Sequence, residues 1–404
     1  MDELDALWAF LVAGAVSFAV TPLTARMARR MGVLHTPRDR DLHEGAVPAM
    51  GGLAILVAVV VSAVLFLPND EQTRGIIVGA IAIALIGALD DAFELPAGLK
   101  LAGQFGAALI PVASGVWVDH VTIPFFDPID LGDWGKPLTL VAMVGVMNVV
   151  NFTDGVDGLA AGVCTIAAAT FAIIALSLDR DAAGVLAALT AGAAVGFLWH
   201  NFHPASVFMG DAGSNLLGLL LACVAVQGVL KTAAVVALFF PLVILAVPAA
   251  DATFVVAKRI KYRRPVYSAD RWHFHHRFAN IGFSQPRTVL YLYGWTLSLA
   301  ALALAIRFVP YSDDDGSLNL GWALVIAAFG VVAVAASIYL VVVLEILKFK
   351  RFREREIRRQ VETGEMEALS RDEIDQEIER EVETGEFQAV RPPETDEFQA
   401  VGRD

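Results

Sequence analysis

The chain has 404 residues, 56% of them hydrophobic, and its mean hydropathy is +0.61. Soluble globular domains have roughly 45–50% apolar residues, so this composition excludes a soluble enzyme and predicts a protein with many membrane spans. Most of the formal net charge of −13 lies near the carboxyl terminus, because residues 360–404 hold 15 acidic and 4 basic side chains. The rest of the chain is close to neutral, and no nucleic-acid partner is expected.

Eleven apolar segments of roughly spanning length follow one another along the chain. They predict an all-α polytopic membrane protein with about 11 transmembrane helices, at approximately residues 5–26, 50–67, 74–89, 99–115, 137–150, 158–178, 182–199, 214–227, 232–256, 289–308 and 320–347. Residues 1–347 are therefore expected to form one transmembrane domain. Residues 348–404 begin with a basic stretch suited to anionic lipid headgroups and then turn acidic, which predicts a largely disordered tail.

Lysine and arginine residues predict the orientation of these segments. If the amino terminus lies outside, the inward loops 26–49, 257–288 and 348–359 carry 5, 8 and 7 of them, whereas the outward loops contribute three. Because positive residues collect on the cytoplasmic side of membrane proteins, we expect the carboxy terminus and every loop rich in unusual polar residues to be cytoplasmic. On the outer side, the roughly alternating residues 117–123 predict a small β-hairpin.

A polar stretch between two apolar runs is the centre of the predicted site. Asn148, Asn151, Asp154 and Asp157 recur every third residue, which places the four side chains on one side of a helix or a 3₁₀ turn. Carboxylates and carboxamides at membrane depth are costly and indicate a functional site. The alternative is a polar turn between two hairpinned helices, where Asn, Asp and Gly are ordinary, although such a turn does not need four polar residues on one side.

Two further inner loops carry carboxylates. Asp90 and Asp91 repel one another at the end of the third apolar segment, so in a low dielectric they need a nearby cation, and Lys100 follows ten residues after Asp90. Asp211 stands in the sequence Gly-Asp-x-Gly-Ser at the start of the eighth segment. This position predicts either a helix N-cap or a residue that binds phosphate or a metal–phosphate complex.

The remaining inner loops are basic and predict anion binding. Zinc ligands are the alternative for the histidine cluster, but zinc needs Cys or His partners at set spacings, and none stands out. A plain basic inner loop is the other alternative. The residues concerned are Arg40 and His43 in the first loop, and His273, His275, His276 and Arg277 in the loop at 257–288.

Together these loops place carboxylates beside basic residues on one face of the membrane. The carboxylates indicate a divalent metal that holds a phosphate, since Mg²⁺ prefers carboxylate oxygens together with substrate phosphates and retained waters. Basic residues would neutralise a pyrophosphate. The sequence therefore predicts a membrane-embedded phosphoryl-transfer enzyme with a lipid acceptor.

The order and wording of these loops closely resemble the polyprenyl-phosphate N-acetylhexosamine-1-phosphate transferase family. Five ordered motifs between about residues 35 and 280 carry the resemblance: Pro37…Arg40…His43…Pro48…Gly51-Gly52, Asp90-Asp91…Lys100-Leu…Gln104, Asn148-x-x-Asn151-x-x-Asp154-Gly-x-Asp157-Gly, Phe208-Met-Gly-Asp211-x-Gly-Ser and His273-x-His275-His276-Arg277. The family's first motif usually starts with Asp and has Lys after Arg, where this chain has His35 and Asp41. This difference weakens any phosphate role for residue 41.

The resemblance implies a Mg²⁺-dependent enzyme, with Mn²⁺ as a substitute, that moves a sugar-1-phosphate from a UDP-sugar to polyprenyl phosphate and releases UMP. The lipid-pyrophosphate-linked sugar would start cell-envelope polymer synthesis. Residues 1–347 would then be a catalytic domain in the bacterial plasma (inner) membrane, with cytoplasmic active-site loops. This domain would contact membrane lipids, and the resemblance also allows a homodimer. The form His273-x-His275-His276 resembles the GlcNAc-1-phosphate branch, whereas the muramoyl-pentapeptide branch usually has three consecutive histidines.

The resemblance also implies a role for each motif residue. Asp211 is expected to be the main Mg²⁺ ligand, with Asp154 as a second ligand. Asp90 would deprotonate or orient the lipid phosphate, with Asp91 in support and Lys100 neutralising charge. Asp154 and Asp157 complete the expected catalytic set and would hold the nucleotide sugar together with Asn151. Nine residues are expected to bind the substrates: Arg40, His43, Asn148, Asn151, Phe208, His273, His275, His276 and Arg277. Of these, Phe208 would lie against the uracil, and His275, His276 and Arg277 would take the pyrophosphate.

Other functions stay open at this point. Within the same class, the chain could be a phospho-N-acetylmuramoyl-pentapeptide transferase. Carboxylates and histidines also build proton relays, so a proton-coupled transporter is an alternative from another class, although transporter sites lie near the bilayer midplane and these residues lie at span ends. The tail repeats the sequence Val-Glu-Thr-Gly-Glu at residues 361 and 382, which allows an added role as a scaffold.

Overall fold

The computed structural model describes residues 3–35, 46–121, 129–229, 284–310 and 319–339. Most of these residues are helical. The helices, labelled α1 to α10 in chain order, are Glu3–Met31, Gly51–Phe66, Glu71–Phe93, Ala97–Ala113, Gly135–Thr153, Leu159–Leu176, Asp181–Asn201, Gly210–Val224, Gln285–Phe308 and Leu320–Ile338. A 3₁₀ turn at Gly132–Trp134 precedes α5, and a π-helical turn at Ala225–Val229 continues α8.

Seven of these helices are long and apolar enough to cross a membrane, namely α1, α3, α5, α6, α7, α8 and α9, while α2, α4 and α10 are shorter apolar helices. The protein is therefore a multi-pass membrane protein, and the prediction of a polytopic helical fold is confirmed at that level. Ten of the eleven predicted segments coincide with helices in the described ranges, whereas 232–256 and the tail at 348–404 lie outside them. The number of eleven spans and the orientation in the membrane stay predictions.

Two short antiparallel strand pairs lie between the helices. β1 (Leu34–His35) pairs with β2 (Val47–Pro48) before α2, and β3 (His120–Val121) pairs with β4 (Ile129–Asp130) between α4 and α5. The second pair lies in the loop where the alternating sequence predicts a hairpin. Neither pair forms a core, so the architecture in the described part of the chain is helical.

The helices pack closely because small residues line their contacts. α1 packs along α7, and α7 packs along α6. A Cβ atom on Gly192 or Gly196 of α7 would collide with the backbone carbonyls of Phe10 and Gly14 in α1. Small residues allow such close approach of helix backbones in membranes, where dispersion contacts replace the hydrophobic effect as the driving force.

Pro22 interrupts the hydrogen bonding of α1. A proline has no N–H to donate to the carbonyl four residues earlier, which here belongs to Phe18. The Nε2 atom of His200, at the end of α7, lies 3.0 Å from that carbonyl oxygen and donates to it. A neighbouring helix thus satisfies the freed carbonyl, as a helix in an apolar environment requires.

α8 occupies the centre of the bundle. It packs against α3 on one side and α5 on the other, with α2 also in contact, and its residues Ala212 to Val224 are all buried. The carboxyl ends of α3 and α5 and the amino ends of α4 and α8 come together at one end of the bundle. Every polar residue predicted on α3, α4, α5 and α8 lies at this end.

Candidate active site

The amino terminus of α8 is seated directly on the backbones of its neighbours. A Cβ atom on Gly87 of α3 would lie 2.5 Å from the Cα atom of Ala212, and one on Gly52 of α2 would collide with the backbone of Gly213. Gly210, the first residue of α8, has φ +70°, a conformation that favours glycine. These glycines bring the first turn of α8 against the last turn of α3, where Asp90 and Asp91 lie.

Asp91 caps α8 from the neighbouring helix. Its Oδ1 atom accepts a hydrogen bond from the Asp211 N–H at 2.7 Å, and its Oδ2 atom accepts one from the Ala212 N–H at 3.2 Å. The first N–H groups of a helix have no partner within the helix, and the positive end of the helix dipole favours an anion there. The N-cap interpretation of Asp211 is therefore wrong, because Asp91 provides the cap and the side chain of Asp211 points elsewhere.

The side chain of Asp211 binds residues of two other helices. The Lys100 ammonium on α4 contacts its Oδ2 atom, and the Asn151 carboxamide on α5 contacts its Oδ1 atom. Lys100 Nζ also lies 3.0 Å from Oδ2 of Asp90, so one ammonium bridges two carboxylates. The Oδ1 atom of Asp90 accepts from the Leu95 N–H at 2.7 Å, which fixes the turn between α3 and α4.

Asn151 holds α5 to the first turn of α8. Besides its contact with Asp211, its Nδ2 atom donates to the Ser214 hydroxyl oxygen at 2.9 Å, and that hydroxyl donates to the Gly210 carbonyl at 3.0 Å. Asp90, Asp91, Lys100, Asn151 and Asp211 therefore lie together, although they come from four helices. The prediction that these residues converge on one face is confirmed, while their chemical roles stay predictions.

Asp154 lies just beyond the end of α5, outside the membrane-spanning segments. Burial, followed by the negative charges of Asp211, Asp91 and Asp157, raises the pKa of its carboxyl well above its ordinary value. Within the described ranges, no hydrogen-bond donor or basic group contacts this carboxylate. Asp154 is thus a carboxylate held among other carboxylates, and a cation would be needed to keep it ionised.

The residues fit an open Mg²⁺ site rather than a closed cage. Among the described residues, no group of three or more His, Cys, Asp or Glu side chains is arranged to enclose a metal ion. Mg²⁺ does not require such a cage, because it commonly takes one or two carboxylates together with substrate phosphates and waters. Asp154, which has negative neighbours and no basic group in contact within the described ranges, and Asp211, whose negative charge acts on Asp154, are the candidate ligands for such a site.

Asp157 lies apart from the bridged carboxylates. α5 ends at Thr153, so the turn at 154–158, and not the helical repeat, positions this residue. Its buried Oδ2 atom accepts from the Ala205 N–H at 3.1 Å and lies 2.9 Å from Nδ1 of His203. Asp157 therefore holds its turn to the loop between α7 and α8, and its role towards the nucleotide sugar stays a prediction.

Phe208 belongs to a loop that caps α2. The Gly51 N–H donates to the Phe208 carbonyl and the Gly52 N–H donates to the Met209 carbonyl, each at 2.9 Å. The Phe208 N–H donates to the Pro48 carbonyl at 2.8 Å, and its ring packs edge-to-face on His35, with centroids 5.8 Å apart. The predicted uracil partner is thus held rigidly beside α8, and its contact with a base stays a prediction.

Six of the predicted substrate-binding residues lie outside the described residues. They are Arg40, His43, His273, His275, His276 and Arg277.

The predicted site residues did not include Gln104 and Asn215. Both are almost completely buried, at 1% exposed, and Gln104 Nε2 donates to Asn215 Oδ1 at 2.7 Å. Asn148, predicted as a substrate-binding residue, joins them by donating from Nδ2 to Gln104 Oε1 at 2.8 Å. The sequence signal was their spacing, since each follows a site residue, Lys100 or Asp211, by four positions on the same helix.

Comparison with known proteins identifies a family and several similar sequences. A model of the family described as glycosyl transferase family 4 matches residues 73–229. A Bacillus subtilis (strain 168) protein named "Probable undecaprenyl-phosphate N-acetylglucosaminyl 1-phosphate transferase" is 36% identical over 300 residues, which are 73% of this chain and 84% of that protein. A decaprenyl-phosphate N-acetylglucosaminephosphotransferase of Mycobacterium leprae (strain TN) is 35% identical over 348 residues, which cover 77% of this chain and 86% of that protein.

A relative with another named activity also matches. A phospho-N-acetylmuramoyl-pentapeptide-transferase of Desulforudis audaxviator (strain MP104C) is 34% identical over 329 residues, which cover 74% of this chain and 95% of that protein. The family match runs from α3 to the π-helical turn and so includes all four helices that build the site. The chain therefore belongs to glycosyl transferase family 4, the family of the polyprenyl-phosphate N-acetylhexosamine-1-phosphate transferases whose motifs it carries.

Proposed function

We propose that the protein transfers GlcNAc-1-phosphate from UDP-GlcNAc to polyprenyl phosphate, with release of UMP. The observation that carries this proposal is the Lys100 ammonium held between the carboxylates of Asp90 and Asp211 at one end of the bundle. A cation fixed among carboxylates suits a reaction that must bring two phosphate-bearing substrates together. The relatives named for N-acetylglucosamine phosphate transfer support the choice of sugar.

The reaction exchanges one phosphorus–oxygen bond for another. A phosphate oxygen of polyprenyl phosphate attacks the phosphorus that bears the sugar, a new P–O bond forms, and the P–O bond to UMP breaks. Such transfers depend on positioning and charge neutralisation more than on covalent participation by the protein. Lys100 offsets negative charge on the phosphates, and Asp90, fixed by the Leu95 N–H on one oxygen, orients the lipid phosphate or takes its proton.

Mg²⁺ would supply the positive charge that holds the pyrophosphate of the nucleotide sugar. We propose Asp211 and Asp154 as its protein ligands, and the negative surroundings of Asp154 support this choice. Mn²⁺ should substitute for Mg²⁺, because both accept carboxylate and water oxygens.

The proposed site faces the cytoplasm from the bacterial plasma membrane. The last turn of α1, which carries Arg29 and Arg30, lies at the same end of the bundle as the site. The Ala49 N–H donates to the Val33 carbonyl just after α1, and the neighbouring Pro48 and Gly51 hydrogen-bond to the backbone of Phe208. Basic residues at this end agree with the positive-inside rule, and they suit contact with anionic lipid headgroups.

UMP release tests the proposal directly. Protein purified in detergent is incubated with Mg²⁺, polyprenyl phosphate and one UDP-sugar at a time, and UMP and the lipid product are measured by chromatography and mass spectrometry. We expect UMP and a GlcNAc-pyrophosphate lipid with UDP-GlcNAc, and no UMP when polyprenyl phosphate is omitted or EDTA is added. Folded protein that releases no UMP with any UDP-sugar in the panel would refute the proposal.

The second candidate is phospho-N-acetylmuramoyl-pentapeptide transfer. The match to a relative with that name over 95% of its length is the observation that favours it. We expect no turnover of UDP-muramoyl-pentapeptide, because the sequence His273-x-His275-His276 departs from three consecutive histidines. Robust turnover of the pentapeptide substrate in the same assay would assign the protein to that branch.

A further inference from the structure

We propose that the carboxamides of the buried Gln104 and Asn215 and the half-buried Asn148 form a positioning layer that sets the place of Asp211 for the proposed transfer reaction. This inference rests on the proposed function. The layer lies one helical turn away from the bridged carboxylates, towards the interior of the bundle. Its members touch no substrate in this proposal and act through the residues above them.

Each of three helices contributes one residue to the site and one to the layer. On α4 they are Lys100 and Gln104, and on α8 they are Asp211 and Asn215. The pair on α5 is Asn151 and Asn148. Residues three or four positions apart lie on the same face of a helix, so each layer residue lies directly behind a site residue, and any shift in the layer moves the site.

The hydrogen bonds of the layer run across all three helices. Gln104 donates to Asn215 at 2.7 Å and lies 3.5 Å from Asn148 Oδ1, while its own oxygen accepts from Asn148 at 2.8 Å. Asn148 also donates to the Val144 carbonyl at 2.8 Å within α5. Each of the three carboxamides both donates and accepts, so the layer has one favoured arrangement.

The layer reaches Asp211 through the backbone. Asn215 Nδ2 donates to the Asp211 carbonyl oxygen at 2.8 Å. The first turn of α8 is thus held from two directions, since Asp91 binds its N–H groups and Asn215 binds the carbonyl of Asp211. With the backbone of Asp211 fixed, its carboxylate stays between Lys100 and Asn151.

The chemistry of the layer fits positioning better than stability. An apolar side chain would fill the same space, and hydrogen bonds between helices in membranes contribute little to stability on average. A carboxylate in this place would compete with Asp90 and Asp211 for Lys100. Carboxamides give directional contacts without adding charge, so they fix geometry and leave the bridge between Lys100 and its carboxylates undisturbed.

The first test removes the carboxamide of Gln104 and keeps the length of the side chain. We expect Gln104→Met to lower kcat by roughly 10- to 100-fold, because small displacements of reacting groups are costly, and to leave KM for UDP-GlcNAc within about threefold, since no substrate contact is lost. The matched control is Gln72→Met. Gln72 lies at the other end of α3, accepts from Gln227 at 3.0 Å and donates to the Gly115 carbonyl at 3.1 Å. The control should keep wild-type kcat.

The second test asks whether the donor to Asp211 is what counts. Asn215→Ala and Asn215→Ser leave nearly the same space, but a serine hydroxyl can donate to the carbonyl four positions earlier, as Ser214 does to Gly210 at 3.0 Å. One hydrogen bond changes an equilibrium by roughly fivefold, so we expect the kcat of Asn215→Ser to exceed that of Asn215→Ala by about that factor. Melting temperatures in detergent verify that every variant is folded.

The outcomes separate the two proposals. Absence of UMP release by the wild type would overturn the proposed function and this inference with it. An active wild type with equal kcat in Gln104→Met and Gln72→Met would overturn this inference alone. Equal kcat in Asn215→Ala and Asn215→Ser, or a loss in Gln104→Met that lies in KM, would also overturn the inference and leave the proposed function in place.

Discussion

Adjacent carboxylates at the end of α3 have different partners. Asp90 faces Lys100, whereas Asp91 accepts hydrogen bonds from the first N–H groups of α8. Repulsion between the two is thereby relieved by a cation on one side and a helix terminus on the other. The sequence indicated that the pair needs a cation, but it could not say which member takes it, because the cap depends on a helix that begins at Gly210.

Asp211→Asn separates a charge role from a shape role, because asparagine keeps the size and loses the charge. We expect folding to be nearly unchanged, since Asp91 and not Asp211 caps α8. Turnover should fall by roughly 10² to 10⁴-fold, as expected when a few kcal/mol of transition-state stabilisation are lost. UMP release at limiting and at excess Mg²⁺ measures the effect.

The matched control for that variant is Asp70→Asn. Asp70 caps α3 by accepting from the Thr73 N–H at 2.7 Å, and asparagine caps a helix about as well as aspartate, so turnover should not change. Near-normal turnover of Asp211→Asn at limiting Mg²⁺ would remove Asp211 from the proposed metal site and leave Asp154 as the candidate ligand.

We expect Asp154 to make the stability of the protein depend on pH. Its carboxyl has a pKa of 3.8 in the unfolded chain and a raised pKa in the folded protein, so folding takes up a proton between these two values. The free energy of unfolding therefore falls as the pH rises through that window. Asp154→Asn removes the titrating group and with it this pH-dependent loss of stability. In EDTA, we expect the melting temperature of Asp154→Asn, relative to that of the wild type, to increase as the pH is raised from about 5 to about 8.

The exposed Asp133 in the 3₁₀ turn before α5 offers a control, because Asp133→Asn alters a solvated carboxylate and its melting curve should follow the wild type. Added Mg²⁺ should narrow the difference between wild type and Asp154→Asn at high pH, since a cation favours the ionised carboxylate. A difference in melting temperature that stays constant across the pH range would contradict the raised pKa.

At the scale of the helix, hydropathy located the helices but not their ends. The apolar segment at 74–89 stops before Asp90, whereas α3 continues to Phe93; the segment at 214–227 starts after Asp211, whereas α8 begins at Gly210. Polar residues lower the hydropathy of a window, but their backbones continue the helical hydrogen bonds. Asp90, Asp91 and Asp211 therefore lie in the last turn of α3 and the first turn of α8, where unpaired backbone groups are available.

The partners of the buried carboxamides could not be read from the sequence. Gln104 and Asn215 each stand four positions after a site residue, which indicates the face of the helix they occupy. A single carboxamide on an apolar helix does not reveal which neighbouring helix it faces. That information depends on close helix contacts, and these in turn depend on glycines whose role appears only when the backbones are brought together.

Gly87→Val tests the close contact between α3 and the first turn of α8. A Cβ atom on Gly87 would lie 2.5 Å from the Cα atom of Ala212, so α3 and α8 must separate and Asp91 must leave the helix terminus. We expect the free energy of unfolding to fall by about 1–3 kcal/mol, as is typical of overpacking, so the melting temperature should fall too. Most UMP release should be lost. Turnover and thermal unfolding in detergent are both measured.

Gly106→Ala is the control within the neighbouring helix α4. Nothing lies within 4 Å of a Cβ atom on Gly106, and alanine is the better helix former, so stability should hold or rise slightly and turnover should be kept. A wild-type melting temperature and turnover in Gly87→Val would contradict the close contact between Gly87 and Ala212.

For the whole molecule, the tail is the part we expect to be dispensable for turnover. Residues 360–404 are acidic and repetitive, and they follow the last apolar segment, while every described site residue lies between residues 90 and 214. Deletion of 360–404 should leave UMP release within a few-fold of the full chain. Collapse of activity in a truncated protein that still elutes as a folded species in detergent would give the tail a part in the reaction.

The site also imposes an order of events during synthesis. Asp91 binds the amide of Asp211, which is 120 residues further along the chain. At 5–20 residues per second, the ribosome needs roughly 6 to 24 seconds to make that stretch. During this interval α3 and α4 exist without α8, so Lys100 can pair with Asp90 but not yet with Asp211. Packing of α8 between α3 and α5 is then the step that brings Asp211 to Asp90, Asp91 and Lys100.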